Sequence, residues 1–323
     1  VIASLYGIAQ YYFHSVSMPF IIFVGHKGVF STFGNPNYTG EYLCLVFPLA
    51  CALLLMENNM KKKLLLAGGL LVIFICLFIS GTRSGWLALA GAVAIMSILL
   101  IKHKLFKINR WWLVSLVVAF LFAGLYYALP GHKNENVRRR ITSAFDAGEP
   151  HIKGRRLMWE AALRMGNDHP VIGSGLGSYK MKYLGYQAEI LKDPKKRREL
   201  SSVWVKTNYA HGDYVQTWAE TGALGLVVFL GFMASFYMVA FKLLKNAGGG
   251  PHTFLAIGLI SSFTAFVMDS MFGFPFHLAP NAVLFWLLSA CVSGLSGIPE
   301  RTYPLRYFSE DKIEKAVQVA ATI

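Results

Sequence analysis

Seven apolar runs of membrane-crossing length dominate the folding problem this chain poses. They fall near 38–56, 64–80, 84–101, 111–129, 217–241, 253–270 and 281–298. Each is close to the roughly 17–25 residues that a helix needs to cross a bilayer. The chain is 55% hydrophobic and only 15% charged, and its charges gather between the runs. In hydrocarbon a segment must satisfy its own backbone polar groups, so helices are the expected form. The expected fold is an all-α polytopic membrane protein, a bundle of 7–8 spans with a mostly helical extracytoplasmic cap. The eighth candidate is the apolar stretch Val1 to Phe13. It lacks the basic leader and small-residue cleavage site of a signal peptide. With no initiator Met, the chain is expected to be the C-terminal part of a longer protein, cut inside or before a helix.

The four cysteines, Cys44, Cys51, Cys76 and Cys291, all fall in predicted spans. They read as small buried hydrophobes rather than disulfide partners. No Cys/His pattern has zinc spacing, so no metal site is expected.

Lys and Arg accumulate in cytoplasmic loops near span ends. The loops 57–63, 102–110 and 242–252 together carry nine: Lys61, Lys62, Lys63, Lys102, Lys104, Lys107, Arg110, Lys242 and Lys245. The short loops on the other side carry only Lys27 and Arg83. This asymmetry predicts spans over 1–129, an extracytoplasmic segment 130–213, spans over 214–298 and a cytoplasmic tail 299–323. The outer segment holds sixteen Lys and Arg against nine Asp and Glu, a net of +7. Long loops translocate largely regardless of charge. A positive field on that side suits either an anionic ligand or anionic lipid headgroups. Nucleic acid is not an expected partner, because the segment carries no recognisable binding motif.

Within the outer segment, 155–166 has helix-forming composition and Pro170 stops it. Gly173, Gly175 and Gly177 follow. No βαβ context surrounds them, so they read as a tight turn rather than a dinucleotide loop. The next helix is expected near Asp213, with Gln216 three residues on completing a capping box. His211 would then precede a helix N-terminus, where a neutral imidazole is favoured and can accept a proton. Arg83, at the end of two spans, could snorkel to headgroups or hold a phosphate group by its fork. Arg155 shares a helix face with Trp159, four residues on. Arg156 is four from Glu160 and reads as a surface ion pair. Asn35 and Asn37 fit a brace at the start of a span, and Glu220 fits a structural hydrogen-bonding role. Tyr38 and Tyr214 fit an aromatic belt. Asp269, acidic within a span, is a candidate partner for one of the arginines.

Several tracts resemble one family, the bacterial O-antigen ligase and polymerase-like membrane glycosyltransferases. They are STFGNPNYTGEYL at 31–43, SGTRSGWLAL at 80–89, GRRLMWEAALRMGNDHPVIGSGLGSY at 154–179, HGDYVQTWAETGALG at 211–225 and, more weakly, MDSMFGFP at 268–275. Their order along the chain is the family's. The family usually has Asn between the His and the Asp, where this chain has Gly212. The resemblance places further spans ahead of Val1. It implies transfer of a glycan from undecaprenyl diphosphate to lipid A–core, another lipid-linked glycan or a protein hydroxyl. The reaction would take place at the outer face of the bacterial plasma membrane, without metal, nucleotide sugar or other cofactor.

The residues that match imply His211, Arg83 and Arg155 as the catalytic set. The two arginines would hold the diphosphate, and His211 would orient or deprotonate the acceptor. Arg156, Asp213, Tyr214, Asn35, Asn37, Glu220 and Asp269 complete the candidate substrate-binding residues. A flippase for a polyprenyl-linked glycan, or a non-catalytic membrane scaffold, are the alternatives. A flippase predicts inverted repeats and midplane polar groups, neither of which the sequence displays.

Overall fold

A computed structural model describes residues 1–12, 29–105, 118, 148–200 and 206–296. The run over 111–129 and the tail 299–323 lie outside the described residues, apart from Val118, which is helical. Ten helices and no strand occur among the described residues. They are α1 (Ile2–Tyr12), α2 (Pro36–Met56), α3 (Met60–Ser80), α4 (Arg83–Lys102), α5 (Pro150–Asp168), α6 (Tyr179–Ile190), α7 (Pro194–Leu200), α8 (Asp213–Lys245), α9 (Pro251–Asp269) and α10 (Ala279–Ser296). Six of them, α2, α3, α4, α8, α9 and α10, are long and apolar enough to cross a membrane. They match the six predicted spans that fall within the described residues.

The helix starts follow local chemistry. Asn35 is the N-cap of α2, its side chain accepts from the Asn37 N–H at 2.8 Å, and Pro36 occupies the first turn. Proline suits that position because its missing N–H would have no partner there. Asn59 caps α3 in the same way. Pro48 interrupts the α2 ladder, and the Ser262 hydroxyl of α9 donates to the nearby Leu45 carbonyl at 2.6 Å. Hydroxyl donation of this kind satisfies backbone groups near a proline in a span.

Helix α9 sits at the centre of the bundle, packed against α2 and α4 and flanked by α8 and α10. Small residues set these close crossings, as expected where lipid is as apolar as leucine. A side chain at Gly40 would run into Thr82 and Ser80 of the α3–α4 turn. Thr82 in turn donates to the Pro36 carbonyl at 3.0 Å. The start of α2 is therefore clamped onto the start of α4.

The cap has its own small core. Leu157, Met158, Ala161, Ala162 and Met165 of α5 pack on Tyr179, Tyr183 and Ile190 of α6, with Leu200, Ala210 and Ala219. Burying aliphatic side chains of this size stabilises by about 1.5–3 kcal/mol each. The Tyr179 hydroxyl donates to the Met158 carbonyl at 3.1 Å, which permits its complete burial.

The cap is locked to the bundle by a break in α8. Gly222 is left-handed in φ and non-helical (φ 62°, ψ −161°), so the pairs Ala223 N–H to Ala219 C=O and Leu224 N–H to Glu220 C=O cannot form. The glycine-rich turn after α5 fills the gap. The Pro170 and Val171 carbonyls accept from Ala223 and Leu224 at 2.8 and 3.1 Å. The Ser174 and Gly175 N–H groups donate to Ala219 and Glu220 at 3.0 and 2.9 Å. All four freed backbone groups are thus satisfied by one loop. The predicted tight turn is present, and its role is to plug a helix.

Candidate active site

The predicted outer loops meet at one end of the bundle. The α2 start, the α3–α4 turn, the α5 start, the segment 206–212 and the link between α9 and α10 converge there. The links 57–59 and 246–250, next to Lys61, Lys62 and Lys63 and to Lys242 and Lys245, lie at the opposite ends of their helices. Arg83, the first residue of α4, pairs with Glu149 just ahead of α5 at 3.8 Å. Arg155, one turn into α5, lies within electrostatic reach of Glu41, Asp269 and Arg83. Burial lowers its pKa. Glu41 and Asp269 oppose that shift, while Arg83 adds to it.

Glu41 and Asp269 are both buried in the bundle beneath these cations, Asp269 completely. The Ser84 hydroxyl lies beside Asp269 without meeting hydrogen-bond geometry. Buried carboxylates need a compensating charge. Arg155 is a cation within electrostatic reach of both.

His211 is held by its backbone. Its φ is 53°, a left-handed conformation that His adopts more readily than most residues. Its carbonyl accepts from Trp159 Nε1 at 3.1 Å, and Trp159 stacks on Phe272. The imidazole meets Phe274 edge-to-face at 4.8 Å. Tyr38 and Tyr209 pack on the same Phe274 ring. Burial, and then the positive charge of Arg155, push the His211 pKa down to about 4. The imidazole is therefore neutral near pH 7. The expected helix N-terminus does lie two residues on, but desolvation and a neighbouring cation lower the pKa. Gly212 between His211 and Asp213 is tightly enclosed. A Cβ there would lie 3.1 Å from Trp159 Nε1 and 3.2 Å from the Met271 carbonyl.

Asp213 does not form the predicted capping box. The N-cap of α8 is Gly212, and it makes no side-chain cap. The Asp213 carboxylate instead takes His277 Nδ1 at 3.0 Å and the Phe276 N–H at 3.3 Å. A tertiary partner has displaced the local one. Gln216 Oε1 accepts from the Ala210 N–H, so its Nε2 is the donor that faces His277 Nε2 at 3.1 Å and Glu220 at 3.2 Å. His277 must then carry its proton on Nδ1, toward Asp213. This chain of polar groups ties the segment around His211 to the link between α9 and α10.

Other expected residues lie away from this cluster. Arg156 is exposed and pairs with Glu199 at 2.8 Å, not with Glu160. Glu160 pairs with Arg164 and Lys196 instead. Glu220 accepts from the Gly177 and Tyr179 N–H groups, so it fixes the glycine-rich turn and the start of α6. The Tyr214 hydroxyl donates to the Val267 carbonyl at 2.9 Å and joins α8 to α9. Asn35 and Asn37 hold the start of α2. Glu41 and His277 were not singled out in the sequence. An acidic residue inside an apolar run was the available signal for Glu41, while nothing in spacing distinguished His277. Among the described residues no group of three or more His, Cys, Asp or Glu is arranged to hold a metal ion.

A sequence model of the O-antigen ligase family matches residues 68–230, about half of the chain. The chain belongs to the O-antigen ligase family. It is therefore a multi-span membrane glycosyltransferase of cell-surface polysaccharide synthesis, as the ordered motifs suggested. The matched region of this O-antigen ligase-family protein contains Arg83, Arg155 and His211 and ends just beyond the α8 break. Asn35, Asn37, Glu41, Asp269 and His277 lie outside it. No curated protein matches the chain.

Proposed function

We propose that this O-antigen ligase-family protein moves a glycan from undecaprenyl diphosphate to an acceptor hydroxyl at the outer face of the bacterial plasma membrane. The observation that carries the reading is the grouping of two arginines and a neutral histidine at one mouth of the bundle. Arg83 and Arg155 hold the diphosphate and offset the charge that develops on it as the sugar–phosphate bond breaks. The acceptor oxygen attacks the anomeric carbon, its proton passes to the free nitrogen of His211, and undecaprenyl diphosphate leaves. The charges of Glu41 and Asp269 act on the Arg155 guanidinium. The acceptor is a glycolipid, a lipid-linked glycan or a protein hydroxyl, and the polyprenyl chain lies along the bundle in the bilayer.

Three results would support this reading. Arg83→Lys and Arg155→Lys keep the charge and lose the fork. Each should lower transfer from a purified lipid-linked donor at least about tenfold and weaken donor binding. Lysine at 155 still faces Glu41 and Asp269, so expression should hold, and wild-type transfer in both variants would remove the clamp. A cysteine at the exposed position 195 should react with an impermeant thiol reagent in intact cells. Reaction only after permeabilisation would put the mouth in the cytoplasm.

The third result concerns pH. His211 must be neutral to accept a proton, and its pKa of about 4 sets the acid limit for the free enzyme. The kcat/KM profile should stay level from pH 7 to about 5 and fall as pH drops through about 4. A fall centred near the ordinary 6.5 would contradict the buried, cation-flanked imidazole. The unfolded chain takes up this proton first, so the same group withdraws stability as pH falls from about 6.5 toward 4.

A further inference from the structure

The glycine-rich turn that plugs α8 also exposes apolar side chains that the cap core does not use. Ile172 is 71% exposed, Leu176 84% and Met181, in the first turn of α6, 81%. Val171 is exposed beside Ile172. Polar residues would serve a turn in water equally well, so adjacent large apolar side chains on its surface call for a partner. Lys180 and Lys182 flank Met181 and are exposed as well.

The hydrogen bonds fix where this turn lies along the membrane normal. Val171 accepts from Leu224, the second residue after the α8 break. From Ala223 to Lys242 the helix is regular and apolar. At ~1.5 Å per residue this stretch rises about 28 Å, close to the ~30 Å hydrocarbon thickness. Lys242 and Lys245 mark one boundary of that stretch, and the break at Gly222 marks the other. Leu224, Val227 and Val228 just past the break are exposed as lipid-facing residues of a span are. The turn is therefore bonded to the span at the level where hydrocarbon meets headgroups, and its apolar surface continues the lipid-facing surface of α8.

We propose that the turn 170–176 and the start of α6 dip into the bilayer interface and set the height of the cap above the membrane. Val171, Ile172, Leu176 and Met181 enter the acyl boundary, and Lys180 and Lys182 reach phosphate groups, the division of labour of an interfacial amphipathic segment. The occupant is lipid rather than protein, because the surface is continuous with one already facing lipid. This inference rests on the spanning helices and not on the proposed reaction.

The test uses the full chain with the exposed Cys291 replaced by Ser. An NBD fluorophore is placed on Ile172→Cys or Leu176→Cys, with Lys195→Cys on the cap as the aqueous control. The proteins are reconstituted in nanodiscs of phosphatidylcholine and phosphatidylglycerol that contain lipid spin-labelled near the headgroup. Quenching by the spin-labelled lipid should be several-fold stronger at 172 and 176 than at 195, and quenching by aqueous iodide should show the reverse order. Iodide quenching at 172 and 176 equal to that at 195 would overturn the proposal. Shielding from both quenchers would also overturn it, since the surface would then be covered by protein, such as a second copy of the chain.

Discussion

Replacing Gly222 with alanine is expected to be among the most damaging single changes outside the cluster of charges. Its backbone (φ 62°, ψ −161°) lies in a region that essentially only glycine occupies. A Cβ would come within 2.6 Å of the Gly173 nitrogen and the Val171 carbonyl, so the plug would have to withdraw. Backbone strain of about 1–3 kcal/mol adds to part of four hydrogen bonds worth about 1 kcal/mol each. A total loss of about 3–5 kcal/mol follows. Gly231, in the regular part of the same helix, has nothing within 4 Å of an added Cβ. Gly231→Ala should therefore be neutral or slightly stabilising. Thermal unfolding in detergent and limited proteolysis of the 170–176 turn separate the two variants. Equal melting temperatures and equal protease resistance would mean that the break and its plug do not hold the cap.

The parts of this fold legible in the sequence are those set by local pattern. Spans announced themselves by apolar length, and their ends by the Asn35 and Asn37 brace and the lysine clusters. Composition also placed the helix over 155–166 and its stop at Pro170. Contacts between distant segments were not legible. Gly222 sits in a sequence, ETGALG, that ordinary helix would tolerate. What breaks it is a loop some fifty residues upstream. Asp213 reads as a cap from its neighbours, yet His277 on another element takes its carboxylate.

The candidate site follows the same division. Arg83, Arg155 and His211 could be named from their tracts, and Arg155 from its helix face shared with Trp159. The depressed basicity of His211 comes from burial and from Arg155, which lies on a different helix. Glu41 was not singled out, because its nearness to Arg155 joins two elements distant in sequence. Glu220 was read both as a backbone brace and as a candidate substrate-binding residue, and its carboxylate accepts from the Gly177 and Tyr179 N–H groups.

His211→Ala is the substitution expected to cost the most turnover. A positioned general base contributes about 10²–10⁴-fold in rate. His277 is committed to Asp213 on one side and Gln216 on the other. The His211 backbone carries its own contact through the Trp159 indole, which an alanine would keep. Removing the ring also leaves Arg83 and Arg155 in place, so under the proposed clamp the donor should still bind. His211→Gln, which can orient a hydroxyl without accepting its proton, should fall between alanine and wild type.

The decisive measurement follows undecaprenyl diphosphate release and acceptor glycosylation together, using purified protein, a defined lipid-linked donor and an acceptor, with donor binding measured in parallel. Wild type should release one undecaprenyl diphosphate for each glycan transferred. His211→Ala should bind donor within a few-fold of wild type while both products fall at least about a hundredfold. If His211→Ala loses donor binding as far as it loses turnover, or transfers glycan at the wild-type rate, His211 is not the acceptor's base and the account of this site is wrong.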